Sequence, residues 1–293
     1  LVYIWETNTR YNVPQAVVSV RSFADWRVQQ RAFEAMAGYQ WRNFTLTGTD
    51  EPMLASSLEV SANLLSMLGL TPVLGRSFTS EEEQPGAHQV VLLKYGLWQQ
   101  RFGADPAVIG RDILLDNTPY TVVGVLPADM EFPTNSADIW VPLAFDPARL
   151  TLDQQVAHNL NLVARLRPGV SVEQAQQDMA RLAEQTYRQF PDTYPPDHGW
   201  DLLITPITEQ VIGPIRPTLL LLLGAVTCVL LIACTNLTNL LLARSAARRT
   251  DIAVRLALGA RRSHLLRQWL TESILLSLSG GLIGLLIAVW GVD

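Results

Sequence analysis

The longest uncharged stretch of the sequence limits what this chain can fold into. From Thr218 to Ala243, 26 consecutive residues carry no charge. As an α-helix this stretch would be about 39 Å long, whereas the hydrocarbon core of a bilayer is about 30 Å thick and requires about 20 residues. Apolar runs longer than about 18 residues favour a membrane-spanning helix over the core helix of a soluble protein. We therefore predict a transmembrane segment over 218–243.

A second uncharged run covers 273–292, close to the end of the chain. Trp269 and Trp290 flank it, and on a helix they would lie about 32 Å apart. Tryptophan is enriched at both membrane–water interfaces, so this spacing is typical of a helix that crosses a bilayer. We predict a second transmembrane segment over 269–292, and we expect the chain, which ends inside this apolar region, to be a piece of a longer protein.

Small and polar residues within the two segments are candidates for helix–helix packing. Gly280, Gly284 and Ala288 recur every four residues and would share one helix face. Such a pattern lets another helix approach closely, although glycine is also tolerated in membrane helices without this role. Asn236 and Asn239 lie late in the first segment, where their amides could line a path or, more commonly, form hydrogen bonds between helices.

The charges divide the chain into two parts of opposite sign. Residues 1–215 have a net charge of −10, and residues 216–293 have a net charge of +5. The connection between the apolar segments, 244–267, contains seven arginines and one acidic residue, Asp251. Because short loops rich in arginine and lysine stay in the cytoplasm, we expect this loop inside the cell and the acidic N-terminal part outside it.

The arginine-rich loop allows two interpretations. Its arginines alternate with apolar residues and no aromatic stacking set accompanies them, which argues against a nucleic-acid partner. The loop could serve only as a topology signal. Alternatively, it could form a short helix along the membrane, with Asp251 paired to Arg255 and Gly259 ending the helix. In that case one row of side chains would face a partner: Ile252, Leu256 and Ala260.

The N-terminal part alternates strands and helices. A strand at the N-terminus precedes a predicted helix over 22–37, in which Ser22 and Asp25 have the spacing of a capping box. A similar unit begins with a strand near Asn161, continues with a helix capped by Ser171, and ends with a strand over 200–207. Each unit has the βαβ order of elements.

The region between these two units is richer in strands. Short apolar runs and a hairpin around the turn Asp116–Pro119 indicate strands there. We predict an α+β extracytoplasmic domain followed by transmembrane helices. One lobe would consist of 1–45 and 157–210, both of βαβ type, with a β-rich lobe over 46–156 inserted between them.

Several kinds of chemistry have no counterpart in the sequence. The single lysine, Lys94, is not part of a glycine-rich phosphate loop, so ATP hydrolysis by that route is excluded. The four histidines lack metal-ligand spacing, and no nucleophile motif occurs. The acidic run 81–83 is more typical of a solvated helix start, and Asp197–His198 of a surface loop, than of a catalytic pair. We expect neither an enzyme nor a bound metal or cofactor.

Three segments resemble a known family. They are GLTPVLGRSFTSEEE (69–83), WQQRFGADPAVIGRDILLDNTPYTVVGVLP (98–127) and ACTNLTNLLLARSAARRTDIAVRLALGARRSHLLRQWLTES (233–273). The first two resemble the periplasmic core domain of MacB/FtsX-type ABC transporter permeases, and the third resembles the FtsX-like permease domain. The similarity is greatest to permeases that carry two such modules and no ATPase domain, and it covers nearly the whole chain.

The resemblance implies more than the residues alone do. It implies an inner-membrane protein with 1–215 in the periplasm, four membrane helices per module, and a dimeric or duplicated arrangement of modules embedded in lipid. The arginine-rich loop resembles a coupling helix that docks on a separate nucleotide-binding ATPase subunit, which would hold the ATP. The residues implied in that contact are Asp251, Ile252, Arg255, Leu256, Gly259, Ala260 and Arg261.

Two functions follow from this resemblance. In the first, ATP binding by the partner moves the loop, and the helices carry the motion to the periplasmic domain for export of a substrate, with a periplasmic adaptor as a further partner. In the second, the same motion activates a periplasmic partner such as a cell-wall hydrolase, without transport. Gene neighbours would discriminate them.

Overall fold

A computed structural model describes residues 1–48, 52–130, 132, 137–146, 150, 157–192, 194–195, 199–213, 215–247 and 262–290. The chain divides into two compact units. The first, Leu1–Ile215, is called the outer unit here, and the second, Arg216–Asp293, is called the membrane unit. Each unit is described by itself.

The outer unit is built around one extended sheet. Its strands are β1 (Val2–Asn8), β2 (Val13–Ala16), β3 (Val18–Ser19), β4 (Phe33–Thr47), β5 (Met53–Val60), β6 (Leu74–Gly75), β7 (Val90–Leu93), β8 (Asp112–Leu115), β9 (Thr118–Val125), β10 (Ile139–Pro142), β11 (His158–Leu166) and β12 (Trp200–Pro206).

The helices of the outer unit are shorter than those of the membrane unit. They are α1 (Val20–Gln29), α2 (Leu64–Leu68), α3 (Tyr95–Phe102), α4 (Val172–Gln189) and α5 (Ile207–Ile212), with 3-10 helices at Ser80–Glu83 and Pro106–Val108. The membrane unit contains α6 (Arg216–Ala247) and α7 (Arg262–Trp290).

The two predicted βαβ units interleave in one half of the sheet. The strand order there is β12-β1-β11-β4. Both β1 and β4 are antiparallel to β11, so they run parallel to each other and are connected through α1. Both β11 and β12 are antiparallel to β1 and are connected through α4. This is the split-βαβ arrangement of ferredoxin-like folds, and it confirms the predicted fold class.

The other half of the sheet contains the β-rich insertion. Its order continues from β4 through β5-β10-β7-β9 to β6, and β8 pairs with both β4 and β9. The β8–β9 hairpin turns at Asp116 and Asn117, whose φ angles are 49° and 63°. Two successive positive φ angles are typical of a type I′ turn, whose twist matches the flanking strands. The predicted hairpin is therefore confirmed.

The strand β4 connects the two halves. Its first part pairs with β11 and its second part pairs with β5 and β8, over 15 residues in all. Since one continuous strand belongs to both halves, no loop separates them at this point, and bending one half against the other would have to deform the β4 ladder.

The helix predicted over 22–37 was wrong in both limits. The cap is Ser19, whose hydroxyl accepts the N–H of Ser22 at 3.0 Å, and α1 ends at Gln29. Phe33 and Met36 instead belong to β4, where they are buried against the helices. Pairing with β11 satisfies the backbone of this segment, so tertiary contacts override its helical spacing.

The helix α4 agrees with the sequence. Ser171 caps it, and the reciprocal bond between the Gln174 side chain and the Ser171 N–H completes a capping box. Its apolar side chains pack against the split-βαβ half of the sheet. Trp26 of α1 donates its indole N–H to the Thr186 hydroxyl of α4 at 3.1 Å, so the two helices are joined by a buried hydrogen bond.

The membrane unit contains one helix that is long and apolar enough to cross a bilayer among the described residues, at Arg216–Ala243 of α6. Its hydroxyl side chains donate to carbonyls of the preceding turn, as Thr227 does to Leu223 at 2.7 Å. Such internal bonds satisfy polar groups where water is absent. In α7 the apolar part is shorter, Ser277–Ala288, so the second transmembrane segment at 269–292 stays a prediction.

Candidate functional site

The predicted coupling residues lie outside the described part of the chain. The structure describes α6 as far as Ala247 and α7 from Arg262 onwards. The intervening positions include Asp251, Ile252, Arg255, Leu256, Gly259, Ala260 and Arg261. Their role in coupling therefore stays a prediction.

The predicted helix-packing residues are all exposed within this chain. Asn236 and Asn239 lie on α6, and Gly280, Gly284 and Ala288 lie on α7. A Cβ built at Gly280 or Gly284 would meet nothing within 4 Å. These positions have room for a further helix, and their use in packing stays a prediction.

The last elements of the outer unit lead into the membrane helix. After β12 ends at Pro206, α5 is held against the start of the chain because the Ile207 N–H donates to the Leu1 carbonyl at 3.2 Å. The side chains of Gln15 and Gln210 exchange two hydrogen bonds, at 3.2 and 3.3 Å. Together these contacts attach α5 to β1 and β2, so the element preceding α6 is anchored to an inner strand of the sheet.

Besides the shared strand β4, an ion pair joins the two halves of the outer unit. Arg27 of α1 donates to both carboxylate oxygens of Glu83, at 2.7 and 3.3 Å. The same Glu83 accepts the N–H of Ala62 at 2.7 Å. The two side chains are 30% and 15% exposed. A bidentate, partly buried pair holds its geometry better than an exposed one, so we call Arg27–Glu83 the clasp.

The acidic run 81–83 is therefore only in part the solvated helix start that was expected. Glu82 is buried, pairs with Arg76 at 2.7 Å, and accepts the N–H of Thr79 at 2.8 Å. Only Glu81 is exposed. The sequence pattern indicated a capped helix start, but neither arginine partner was predicted: Arg76 lies six residues from Glu82, and Arg27 lies 56 residues from Glu83.

A buried polar cluster lies at the opposite end of β12 from α5. Glu6 of β1 is fully buried, with one carboxylate oxygen 2.8 Å from the His158 Nε2 and the other accepting the Tyr194 hydroxyl at 3.3 Å. The His158 ring stacks on Trp200 at 5.5 Å. Burial raises the pKa of Glu6, and the hydrogen bond and charge of His158 partly offset this.

Glu6 is not among the site residues that were predicted from the sequence. The available signal was its register, since Val2, Ile4 and Glu6 share one face of β1 and the first two are buried. The expected surface pair Asp197–His198 lies outside the described residues. Over the described ranges, no group of three or more His, Cys, Asp or Glu side chains could hold a metal ion.

Comparison with family models assigns most of the chain. Residues 2–182 match the MacB-like periplasmic core domain, and residues 223–293 match the FtsX-like permease C-terminal domain. These matches cover β1 to β11 of the outer unit and most of the membrane unit, in the order that the sequence segments predicted.

Curated relatives align with both units. The pyoverdine export ATP-binding/permease protein PvdT of Pseudomonas syringae pv. syringae is 30% identical over 231 residues, covering 74% of this chain and 32% of the relative. The macrolide export ATP-binding/permease protein MacB of Chromobacterium violaceum is 29% identical over 244 residues, covering 82% and 35%. The chain thus spans about a third of the length of these relatives.

A solved structure has the same fold as the outer unit. The periplasmic region of MacB from Actinobacillus actinomycetemcomitans superposes with a TM-score of 0.52 at 13% sequence identity. The alignment covers 72% of this chain and 92% of that structure. At this identity the similarity concerns the fold alone.

Proposed function

The chain belongs to the family of ABC transporter permeases with a MacB-like periplasmic core domain and an FtsX-like permease domain, and from this premise we propose that it transmits ATP-driven motion across the membrane. Its outer unit is periplasmic and α6 lies in the inner membrane. The motion would originate in a cytoplasmic ATPase and would drive export or extrusion of a substrate through work done by the outer unit.

The observation that carries this proposal is the attachment of α5, the last helix of the outer unit, to the rest of that unit. The inner strand β1 pairs with β12 along seven residues, and β12 continues through the anchored helix α5 to α6. At the other end of α6 the chain enters the arginine-rich loop. Because residues 213–215 alone separate the end of α5 from the start of α6, we expect a displacement of α6 to reach the sheet through α5 and β12.

The energy source in this proposal is outside the chain. The 293 residues contain no phosphate-binding loop, whereas both relatives are named ATP-binding/permease proteins. We therefore place ATP outside these 293 residues, propose a separate nucleotide-binding subunit as its site, and expect no cofactor or enzymatic activity in the residues given. The loop residues that would meet the ATPase are Asp251, Ile252, Arg255, Leu256, Gly259, Ala260 and Arg261.

Further partners belong to the same proposal. The exposed small and polar positions of α6 and α7 suit contacts with lipid and with helices of a second permease module, either in a dimer or in a duplicated chain. A periplasmic adaptor would receive the substrate. Because PvdT and MacB are both named as export proteins, we favour export over activation of a cell-wall hydrolase.

The test is a charge placed in the proposed coupling row. The system is the full-length protein with its ATPase in lipid nanodiscs. There Leu256→Asp should abolish stimulation of ATP hydrolysis, because burying an unpaired carboxylate at the contact costs on the order of several kcal/mol. Membrane insertion should persist, since the loop keeps its positive bias. Leu256→Met, which preserves volume and polarity, and Arg248→Lys, which lies outside the row, should both retain stimulation.

The opposite result is equally clear. If Leu256→Asp inserts and stimulates its ATPase as well as the unaltered protein does, the loop acts only as a topology signal. The coupling assignment would then be withdrawn.

A further inference from the structure

An aromatic cleft lies at the end of β12 opposite α5. Its volume is about 420 Å³, within the range of small-molecule sites. Three aromatic side chains line it: Tyr187 of α4, Tyr194 of the following loop and Trp200 at the start of β12. The ring centroids of the two tyrosines are 4.6 Å apart, and those of Tyr194 and Trp200 are 5.3 Å apart.

Two of these rings contact the buried polar cluster of Glu6 and His158. Tyr194 donates its hydroxyl to Glu6, and Trp200 stacks on His158, which itself contacts Glu6. A phenol that donates to a carboxylate has more electron density in its ring, which strengthens the attraction of the ring face for a cation. Burial, and after it the negative charge of Glu6, raises the pKa of Tyr187 and of Tyr194.

The charges at the rim are balanced and solvated. Glu184 and Arg188 form an ion pair on one turn of α4, with side chains 63% and 78% exposed. Such a pair adds little net field inside the cleft. Over longer distances, residues 1–215 carry a net charge of −10, which attracts cations toward this unit.

We propose that the cleft lined by Tyr187, Tyr194 and Trp200 binds a small organic cation, with the ammonium group against the two partly exposed rings, Tyr187 and Trp200, and an apolar body along the walls. Aromatic surfaces that converge on one space recognise quaternary ammonium groups in this way. The site goes beyond the proposed coupling function, because binding here requires neither ATP nor the cytoplasmic loop. Failure of the coupling test would leave this proposal unaffected, and the reverse also holds.

The first test uses the unaltered protein. Full-length protein in a neutral maltoside detergent is titrated with choline and with 3,3-dimethyl-1-butanol, in which carbon replaces the charged nitrogen. Saturation-transfer NMR should show choline binding at least about fivefold more tightly, the effect expected of one cation–aromatic contact. Equal binding of the two compounds, or no binding of choline at millimolar concentration, would overturn the proposal.

The second test varies the cleft with benzyltrimethylammonium as the probe. Tyr187→Phe keeps the ring and should bind within about twofold of the unaltered protein, whereas Tyr187→Leu should weaken binding about fivefold. At the exposed rim, Arg188→Gln should tighten binding because it leaves the negative charge of Glu184 unbalanced, and Glu184→Gln should weaken binding because it leaves the positive charge of Arg188 unbalanced. Weaker binding in Arg188→Gln, or equal binding in the Leu and Phe variants, would contradict a cation site.

Discussion

The two units of this chain use the same apolar residue types against different solvents. In the outer unit, Leu162 of β11 is completely buried, and the core is formed by side chains from the sheet and its helices. In the membrane unit, Leu230 of α6 is 61% exposed and resembles its neighbours along the helix. The first unit is stabilised by burial from water, whereas the second needs a bilayer to cover its surface.

The two units also differ in where their polar side chains find hydrogen-bond partners. The outer unit buries Glu6 and pairs it with side chains from elsewhere in the fold, His158 and Tyr194. The membrane unit satisfies Thr235 from within, through a bond to the Leu231 carbonyl at 2.8 Å. Long-range pairing requires a folded core to position the partner, and local pairing requires only the helix itself. The comparison suggests experiments that change one unit at a time.

The largest expected effect is all-or-none and concerns which side of the membrane each unit faces. In a Cys228→Ser, Cys234→Ser background, a cysteine at exposed Gln185 of α4 should react with a membrane-impermeant thiol reagent added to the periplasm. A cysteine at Ser263 should react only after the membrane is permeabilised, because the arginine-rich loop stays inside. Labelling in the reverse pattern would refute the topology.

The next largest effect compares the same leucine-to-alanine substitution in the water-exposed outer unit and in the lipid-exposed membrane unit. Leu162→Ala should lower the free energy of unfolding by about 2–5 kcal/mol, because it leaves a cavity in the core of the outer unit. Leu230→Ala should cost only about 0.5 kcal/mol, since the side chain contacts lipid and leaves no cavity. Urea denaturation of the full chain in detergent measures both. Similar costs at both positions would contradict the distinction between the units.

Much of this contrast was predictable from the sequence, because it depends on local patterns. The uncharged run 218–243 and the arginine bias of the loop needed no tertiary information. The capping box at Ser171 and the positive-φ turn at Asp116–Asn117 are likewise local, and the structure has both where they were expected. Periodicity and turn chemistry act over a few residues, so single-sequence reasoning can detect them.

What the sequence did not predict depends on contacts between distant residues. The segment after Gln29 has helical spacing, yet pairing with β11 makes it the long strand β4. The clasp joins Arg27 to Glu83, and the buried pair joins Glu6 to His158. None of these partners is identifiable without the fold, and the aromatic cleft was missed for the same reason.

The clasp should have a moderate effect confined to the outer unit. Glu83→Ala leaves Arg27 and the Ala62 N–H without their acceptor, which should cost about 2 kcal/mol of unfolding free energy. The neighbouring exposed residue provides a matched control, since Glu81→Ala should leave the free energy of unfolding nearly unchanged. Thermal denaturation followed by circular dichroism measures the melting temperature of both variants. Equal decreases in melting temperature would show that the clasp does not stabilise the outer unit.

The smallest effect depends on pH. Asp178 of α4 accepts the N–H of Arg31 at 2.9 Å and that of Ala32 at 3.2 Å. Burial raises the pKa of Asp178, but these bonds and Arg181 outweigh it and hold the pKa below its ordinary value. A depressed pKa stabilises the fold above about pH 4, and the contribution is lost as the pH falls through the folded-state pKa.

Asp178→Asn should therefore cost about 1 kcal/mol of unfolding free energy at pH 7, and the cost should shrink as the pH falls below about 4. Denaturant titrations of both proteins at a series of pH values measure the difference. A cost that stays constant with pH would show that the charge of Asp178 has no part in it.

Hydrogen exchange tests most directly the claim that the two units are coupled. Full-length protein in nanodiscs with its ATPase is compared with and without a non-hydrolysable ATP analogue. We predict that the nucleotide changes amide exchange in β12 and α5, residues 200–212. A flexible glycine–serine insertion after Gly213 should abolish that change while nucleotide binding persists. Identical exchange in 200–212 with and without nucleotide, in the protein without the insertion, would contradict transmission of motion to the outer unit.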